Sequence, residues 1–584
     1  MNFLRNLLAA ILGCLVAFGI IFVMFFVFVT LLGSGEDTVV VKDGSILELQ
    51  LQRPLVDYTG SSDLDPFSGL FDKSQGLDEV LHAIAVAKDD DRIKGISINN
   101  NFTIAGLAQT QAIRKALEDF KDTGKFIYAY ADFYLQKDYY LSSVADSIFM
   151  NPVGAMDFKG LSTEVLFYKD LQEKAGIKME VIRHGKYKSA VEPYLENEMS
   201  ESNRRQIKEL IQSLWNSMIA DIAVGRGISE DDLNTIADTL GGRSPKLAKR
   251  SGLIDDVIFY DEYEGKLADA LGESKEVKVT ALEDYARYAN KKTMASGSDK
   301  IAVIFAQGEI LYGEGSPEII GQGIINDALI KAREDDKVKA VVLRVDSPGG
   351  SALTSDIIWR EVELTKRIKP VVVSMGNVAA SGGYYIAAGA DRIFAEPTTV
   401  TGSIGVFGTV PNISELAKNI GINSEQVGTN ANAVDYSLFS PMTDSFRNTI
   451  QEGIEETYRT FLERVSQGRN MSVAEVDSVA QGRVWSGVDA KRLGLVDELG
   501  TLEDAIAEAA NMAELKGYGV KKYPKYKSGF ERFMEDVGGA SATAKAEMLR
   551  EEIGEDAYTL WKEVKSVMTQ KGVQARMPFT LHIK

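Results

Sequence analysis

The sequence predicts an α/β protein in which one domain occurs twice behind an N-terminal apolar helix. Three observations carry this reading. Short β-branched runs alternate with helical stretches along most of the chain. The chain matches itself at a nearly constant offset. An uncharged run extends from Leu7 to Leu32. At about 100–200 residues per domain, 584 residues require two or more folded units.

The N-terminal run holds 26 residues with Thr30 its one polar side chain. As a helix it would be about 39 Å long, enough to cross a hydrocarbon core of about 30 Å. Arg5 precedes it, and Glu36 and Asp37 follow. The positive-inside tendency then puts the N-terminus in the cytoplasm and residues 36–584 on the other side. A cleaved signal peptide fits less well, because the run exceeds an h-region of about 7–15 residues and lacks an A-x-A exit. Ile11-Leu12-Gly13-Cys14 faintly resembles a lipidation site, but the apolar run continues well past Cys14.

The repeat comes next. Asp91-Arg92-Ile93-Lys94 matches Asp336-Lys337-Val338-Lys339, Tyr139-Tyr140 matches Tyr384-Tyr385, and Ala145-Asp146-Ser147-Ile148-Phe149 matches Ala390-Asp391-Arg392-Ile393-Phe394, all at an offset of 245. Met199-Ser200 and Gly225-Arg226 match Met442-Thr443 and Gly468-Arg469 at 243. Gly252-Leu253-Ile254-Asp255 matches Gly494-Leu495-Val496-Asp497 at 242. An offset held over so long a stretch is a duplicated domain, not a short solenoid repeat.

Within the copies, residues 301–305, 340–345, 371–375 and 392–395 read as strands, and 355–367 as a crossover helix. Long amphipathic helices are expected near 202–224 and 445–467. The expected division is an anchor at 1–35, a first copy at 36–290, a linker at 291–299, a second copy at 300–520 and a helical tail at 521–584.

Composition excludes several classes. The chain is 45% hydrophobic and 26% charged, which is globular composition, not disorder or collagen. A net charge of −19 leaves no basic surplus for a phosphate backbone, so nucleic acid is not an expected partner. Cys14 is the one cysteine, so no intrachain disulfide and no Cys-based metal site is expected. His82, His184 and His582 are the three histidines, and none form HExxH. His82 and His582 read as incidental, and His184 as a structural histidine close enough in sequence to help shape a site at Lys188.

The copies differ at informative places. The second has Ser347-Pro348-Gly349-Gly350-Ser351 at a strand end, where the first has Asn101-Phe102-Thr103 and no Gly-Gly. The second has Ala380-Ser381-Gly382-Gly383-Tyr384, and Ser381 aligns with Gln136. The first has Tyr187-Lys188-Ser189-Ala190-Val191-Glu192, and Lys188 aligns with Ala431. A serine in a glycine-rich turn is thus peculiar to one half and a lysine among small residues to the other. Each alone reads as an ordinary turn or a solvated side chain; their reciprocal loss joins them.

The chemistry is coherent. A serine between a strand and a helix exposes its hydroxyl beside helix N-terminal N–H groups. Gly382-Gly383 leaves room for a substrate carbonyl, and the second Gly-Gly offers a further N–H, as an oxyanion hole needs. A lysine acts as base only when neutral. From about 10.4, working at pH 7–8 requires its pKa to fall by about 3, worth about 4 kcal/mol, which burial in a cleft between domains supplies.

These motifs, with Thr401-Gly402-Ser403-Ile404-Gly405, resemble the bacterial signal peptide peptidase A family in its long, double-domain form, over residues from about 40 to 540. The resemblance implies a ClpP/crotonase-like fold in each half and a serine endopeptidase, of the protease IV type, with a Ser/Lys dyad. It implies degradation of cleaved, apolar signal peptides, no cofactor, a homotetramer, and a single-pass anchor in the bacterial inner membrane with the catalytic domains outside the cytoplasm. Carried over by motif, Ser381 is the nucleophile and Lys188 the base. Gly382 and one of Gly349 or Gly350 supply oxyanion N–H groups, and Ser403 orients the lysine. Two other readings remain: an acyl-CoA or thioester enzyme on the same fold, and a non-catalytic oligomeric membrane scaffold.

Overall fold

A computed structural model describes residues 2–33, 40–60, 74–272, 277–292, 298–430, 432–434, 436–526 and 574–577. The duplication is a duplication of topology. The first half builds a parallel sheet in the spatial order Asp256–Val257, Ser147–Met150, Phe126–Ala131, Ile93–Asn99, Ser45–Leu49, Val279–Ala281. The second repeats it with Glu498–Leu499, Arg392–Ala395, Val371–Ala380, Val338–Ser347, Lys300–Gln307 and Gly519–Tyr523, again all parallel. Two strands of the second half, Val400–Gly402 and Val484–Ser486, extend the sheet beyond the upper part of Val371–Ala380. Parallel strands need crossovers, and helices Leu107–Lys121 and Ala352–Lys366 provide equivalent ones. Runs such as residues 340–343 are fully buried, as strands covered on both faces must be.

The matched residues of the repeat turn out to be structural fastenings. Helix Glu201–Arg226 begins at Ser200, whose hydroxyl accepts from the Asn203 N–H, and ends at left-handed Gly227. Helix Asp444–Arg469 begins at Thr443 in the same way and ends at left-handed Asn470. Arg226 pairs with Asp255 at 3.0 Å, and Arg469 with Asp497 at 2.7 Å. The two aspartates accept from the N–H groups of Ile148 and Ile393. Tyr139 donates to the Leu253 carbonyl and Tyr384 to that of Leu495. Each helix end is thereby tied to a strand of its own sheet, Ser147–Met150 in the first half and Arg392–Ala395 in the second.

A third sheet joins the halves. Its order is Ile319–Ile320, Glu309–Ile310, Gly349–Ser351, Gln574–Arg576, Val406–Asn412, Lys178–His184. Lys178–His184 belongs to the first half and pairs antiparallel with Val406–Asn412 of the second, from Val406↔His184 to Asn412↔Lys178. A buried ion pair adds to the seam: Arg344 meets Asp57 at 2.6 Å, and Gln109 donates to the same carboxylate.

The chain's ends depart from expectation in detail. The second sheet takes in Gly519–Tyr523, across the boundary placed at 520. In the segment expected to be a helical tail, the described residues include strand Gln574–Arg576; residues 527–573 and 578–584 lie outside the described residues. Helix Leu282–Lys292 runs into the expected linker, of which 293–297 also lie outside. Helix Asn2–Gly33 has 32 residues, and its side chains described from Ala9 to Met24 are all exposed. Among the described residues no helix is long and apolar enough to cross a membrane.

Candidate active site

Ser381 stands where strand Val371–Ala380 ends and helix Gly382–Ala387 begins. The strand is five residues longer than the β-branched run alone predicts and delivers the serine directly to the turn. Ser381 has φ 55°, a left-handed conformation for a non-glycine residue, which costs about 1–3 kcal/mol. Its own N–H donates to the Gly402 carbonyl, and the Tyr385 N–H donates to its carbonyl, so both sides of the turn are held.

Lys188 follows the seam strand Lys178–His184 by one turn, and Ser403 precedes its partner strand Val406–Asn412. Antiparallel pairing therefore brings the two together. The Lys188 Nζ lies 2.8 Å from the Ser381 Oγ, 3.0 Å from the Ser403 Oγ and 3.1 Å from the Ser403 carbonyl oxygen. All three residues are fully buried. Lys188 and Ser381 of the same chain meet here. Burial is the cause that holds the Lys188 amine well below the usual lysine range.

A neutral amine has two N–H bonds and one lone pair. In its neutral form Lys188 would give its two N–H bonds to the two Ser403 oxygens and keep its lone pair for the Ser381 hydroxyl. The arrangement is that of a base poised to accept one proton from one hydroxyl.

The glycines divide. Gly349 and Gly382 are adjacent: a Cβ on Gly349 would stand 2.7 Å from the Gly382 nitrogen. The Gly349 N–H donates to the Ser347 hydroxyl at 3.1 Å. Gly350 is locked into the third sheet between Ile310 and Ala575. Gly349 and Gly382 thus face each other next to Ser381, while Gly350 is paired as a strand residue.

Several contributors escape sequence reasoning. The segment Gln481-Gly482-Arg483 stitches the site shut: the Tyr187 N–H donates to the Gln481 carbonyl, the Ser403 N–H to the Arg483 carbonyl, and the Gly482 N–H to the Ile404 carbonyl. Gly482 has φ 80°, and a Cβ there would sit 2.7 Å from the Lys188 Cβ and nitrogen. A Cβ on Gly405 would meet the Lys188 Cδ at 3.2 Å. The lone signal available was a scattering of glycines, which no spacing rule singles out.

His184 stacks on Tyr458 with ring centroids 4.1 Å apart, as a structural histidine does. His582 lies outside the described residues. In the first half the place of Ser381 is taken by Gln136, whose carbonyl accepts the N–H groups of Lys159 and Gly160 and whose amide donates back to Gly160. A side chain saturated by its neighbours fills that site. Ala431, aligned with Lys188, lies outside the described residues.

Two acids of the second half have raised pKa values. Burial first, then the neighbouring Asp57, push the Asp346 carboxyl up to about 7. Burial pushes Glu396 up to about 8. Asp346 immediately precedes Ser347-Pro348-Gly349, and its carboxylate accepts the Val378 N–H.

Comparison with known proteins identifies the family. The profile of Peptidase family S49 matches twice, at residues 119–274 and 363–516. Protease 4 of Haemophilus influenzae is 40% identical over 446 residues, which cover 74% of this chain and 72% of that one. Protease 4 of Salmonella typhi is 36% identical over 542 residues, covering 88% of this chain and 87% of that one. The chloroplastic serine protease SPPA of Arabidopsis thaliana is 33% identical over 484 residues, covering 81% and 70%. Among solved structures, a point mutant of ClpP1 from Listeria monocytogenes aligns at 14% identity over 35% of this chain and 94% of that one, with a TM-score of 0.25 that carries no argument about the fold. With the domain present twice and long relatives matched over most of their length, the chain belongs to peptidase family S49 and is a serine peptidase.

Proposed function

We propose that this protein is a membrane-anchored endopeptidase that degrades cleaved signal peptides with Ser381 as nucleophile and Lys188 as general base. The observation that carries the assignment is the buried Lys188 amine 2.8 Å from the Ser381 hydroxyl, held by burial well below the usual lysine range.

Neutral Lys188 takes the proton from Ser381 as its oxygen attacks the scissile carbonyl. The oxyanion settles between Gly349 and Gly382, where the N–H of Gly382 and, once turned from Ser347, that of Gly349 meet it. The Lys188 ammonium, held by both Ser403 oxygens, then returns its proton to the leaving amine. Water adds to the acyl-enzyme by the same route with Lys188 again as base.

The finer features belong to the same proposal. The anchor in the inner membrane rests on the uncharged run from Leu7 to Leu32 in the sequence, which as a helix would be about 39 Å long. Arg5 on its near side favours catalytic halves outside the cytoplasm. The ClpP/crotonase-like character of each half, the division at 36–290 and 300–520, and a homotetramer follow from the family resemblance.

The test is cleavage of synthetic apolar signal peptides by the full chain in detergent, beside Ser381→Ala and Lys188→Met. Both variants should lose more than about a thousandfold in kcat while keeping the wild-type melting profile, since residual catalysis then rests on the oxyanion space alone. Full activity in either variant refutes the dyad.

A further inference from the structure

The Gln481-Gly482-Arg483 strap that closes over Lys188 is itself held by one carboxylate. Helix Val473–Val479 ends just before the strap and carries Asp477. One oxygen of Asp477 accepts the Tyr458 hydroxyl at 2.6 Å and the Gln481 side-chain amide at 2.6 Å. The Tyr458 oxygen in turn accepts the Gln481 N–H at 3.3 Å. Gln481 is thus gripped by backbone and side chain together. The grip opposes strain, because its φ of 53° is a left-handed conformation that a β-carbon disfavours.

That turn aims the strap at the lysine. The Gln481 carbonyl receives the Tyr187 N–H at 2.8 Å, one residue before Lys188. Gly482 then lies against the Lys188 stem, and Gly405 packs on both: a Cβ on Gly405 would meet the Gly482 Cα at 2.8 Å and the Lys188 Cδ at 3.2 Å. The stem is therefore roofed by glycine backbone, and displacing the strap opens a way for water to the amine. Charged and titratable groups surround the strap. Arg483 pairs with Glu209 and lies over the rings of Tyr187 and Trp485. Arg183 donates to the Lys188 carbonyl at 3.3 Å, and His184 stacks on Tyr458.

The two copies share part of this device. Trp215 and Asn234 of the first half stand at an offset of 243 from Tyr458 and Asp477, and Trp215 donates to the Asn234 side-chain oxygen at 2.8 Å. Leu240 has φ 52° and precedes Gly241 as Gln481 precedes Gly482. A helix-to-helix tie and a left-handed turn are therefore common to both copies and belong to the fold. The arm that joins tie to turn is peculiar to the second copy, since leucine has no amide to reach Asn234. We propose that Asp477 is a positioning residue for the peptidase reaction: through Gln481 and Tyr458 it sets the strap that holds Lys188 in line with Ser381 and closes the lysine off from water. This rests on the reading of Lys188 as the base.

The test is the pH dependence of peptide cleavage by the full chain in detergent. Gln481→Leu gives the turn the residue its counterpart has, so the fold is kept while the arm is removed. Gln481→Leu and Asp477→Ala should each lower kcat at least about tenfold with KM within about twofold, because the base is displaced and the substrate contacts are not. Water reaching the amine restores its charged form, so the acidic limb of kcat/KM should move at least about half a pH unit upward. Asp477→Asn keeps an oxygen able to accept both donors, and should stay within about threefold of wild type in kcat. Asn234→Ala breaks the counterpart tie in the first half and should lower the melting temperature with the limb in place. A limb unmoved in both Gln481→Leu and Asp477→Ala, or moved as far in Asn234→Ala, overturns the proposal. Lys188→Met in the same series separates the two readings. Full activity there refutes the base itself, whereas its loss beside an unmoved limb in the strap variants refutes the role of Asp477 alone.

Discussion

Ser403→Ala isolates how the base is aimed. Ser403 is buried and reaches the reaction only through Lys188, whose Nζ lies 3.0 Å from its hydroxyl and 3.1 Å from its carbonyl oxygen. Removing the hydroxyl leaves one acceptor for two N–H bonds, so the lone pair no longer faces Ser381 in a fixed direction. The ammonium that forms in the transition state loses a hydrogen bond to a charged group, worth about 1.5–3 kcal/mol. At about 1.4 kcal/mol per decade, kcat should fall about 10- to 150-fold. KM should hold within about twofold, because only an interaction of the transition state is lost. The pH profile gives a second readout. The lost acceptor favoured the ammonium, so the Lys188 pKa falls further and the acidic limb of kcat/KM moves to lower pH. Ser403 has φ 51°, so Ser403→Gly relieves the backbone while still lacking the hydroxyl. It should lose as much activity as Ser403→Ala. Initial rates on an internally quenched apolar peptide from pH 5 to 10 measure all of this. A kcat unchanged in both variants, or an acidic limb that stays in place, refutes the aiming role.

Further outcomes follow from neighbouring geometry. Gly482→Ala puts a methyl group 2.7 Å from the Lys188 Cβ and nitrogen at φ 80°, and should cut kcat more than about a hundredfold through displacement of Lys188, read by peptide cleavage beside circular dichroism of the fold. Arg344→Met leaves the Asp57 carboxylate buried without its cation and should destabilise by about 3–5 kcal/mol; calorimetry of the variant, and partial recovery in Asp57→Asn with Arg344→Met, checks it. The Asp346 pKa is raised in the folded state, so its contribution to stability is whole below about pH 4 and is lost as pH climbs through about 7. Asp346→Asn escapes that loss, and its melting temperature relative to wild type should rise between pH 5 and pH 8, with a ceiling of about 4 kcal/mol. A difference that does not change with pH removes Asp346 from the account.

The internal comparison of the copies reads well because matched residues do matched work. Met199-Ser200 and Met442-Thr443 mark helix starts, and Arg226 with Asp255 and Arg469 with Asp497 are the clamps that close each copy. Such local devices stay near their partners in sequence or recur at one offset. Ser381 and Lys188 stood out for the converse reason: each interrupts the likeness, and Gln136 shows how the first copy fills the vacated place. The third sheet left no comparable trace. Glu309–Ile310, Gly349–Ser351 and Gln574–Arg576 are two or three residues long, and strands so short have no period to detect. The tail read as helical, although its described strand is fixed by edges supplied from elsewhere.

Taken by itself, the sequence determined that one α/β unit occurs twice, and that a serine and a lysine, each lacking a counterpart in the other copy, were divided between the two. Those facts are carried by residue identity and offset, which no folding is needed to see. Tertiary structure alone decided that the two meet. Lys188 and Ser381 are 193 positions apart, and they come within hydrogen-bonding distance because Lys178–His184 pairs with Val406–Asn412 across the seam. The same burial that assembles the pair lowers the lysine's pKa, as the proposed base requires, since removing an amine from water disfavours its charged form.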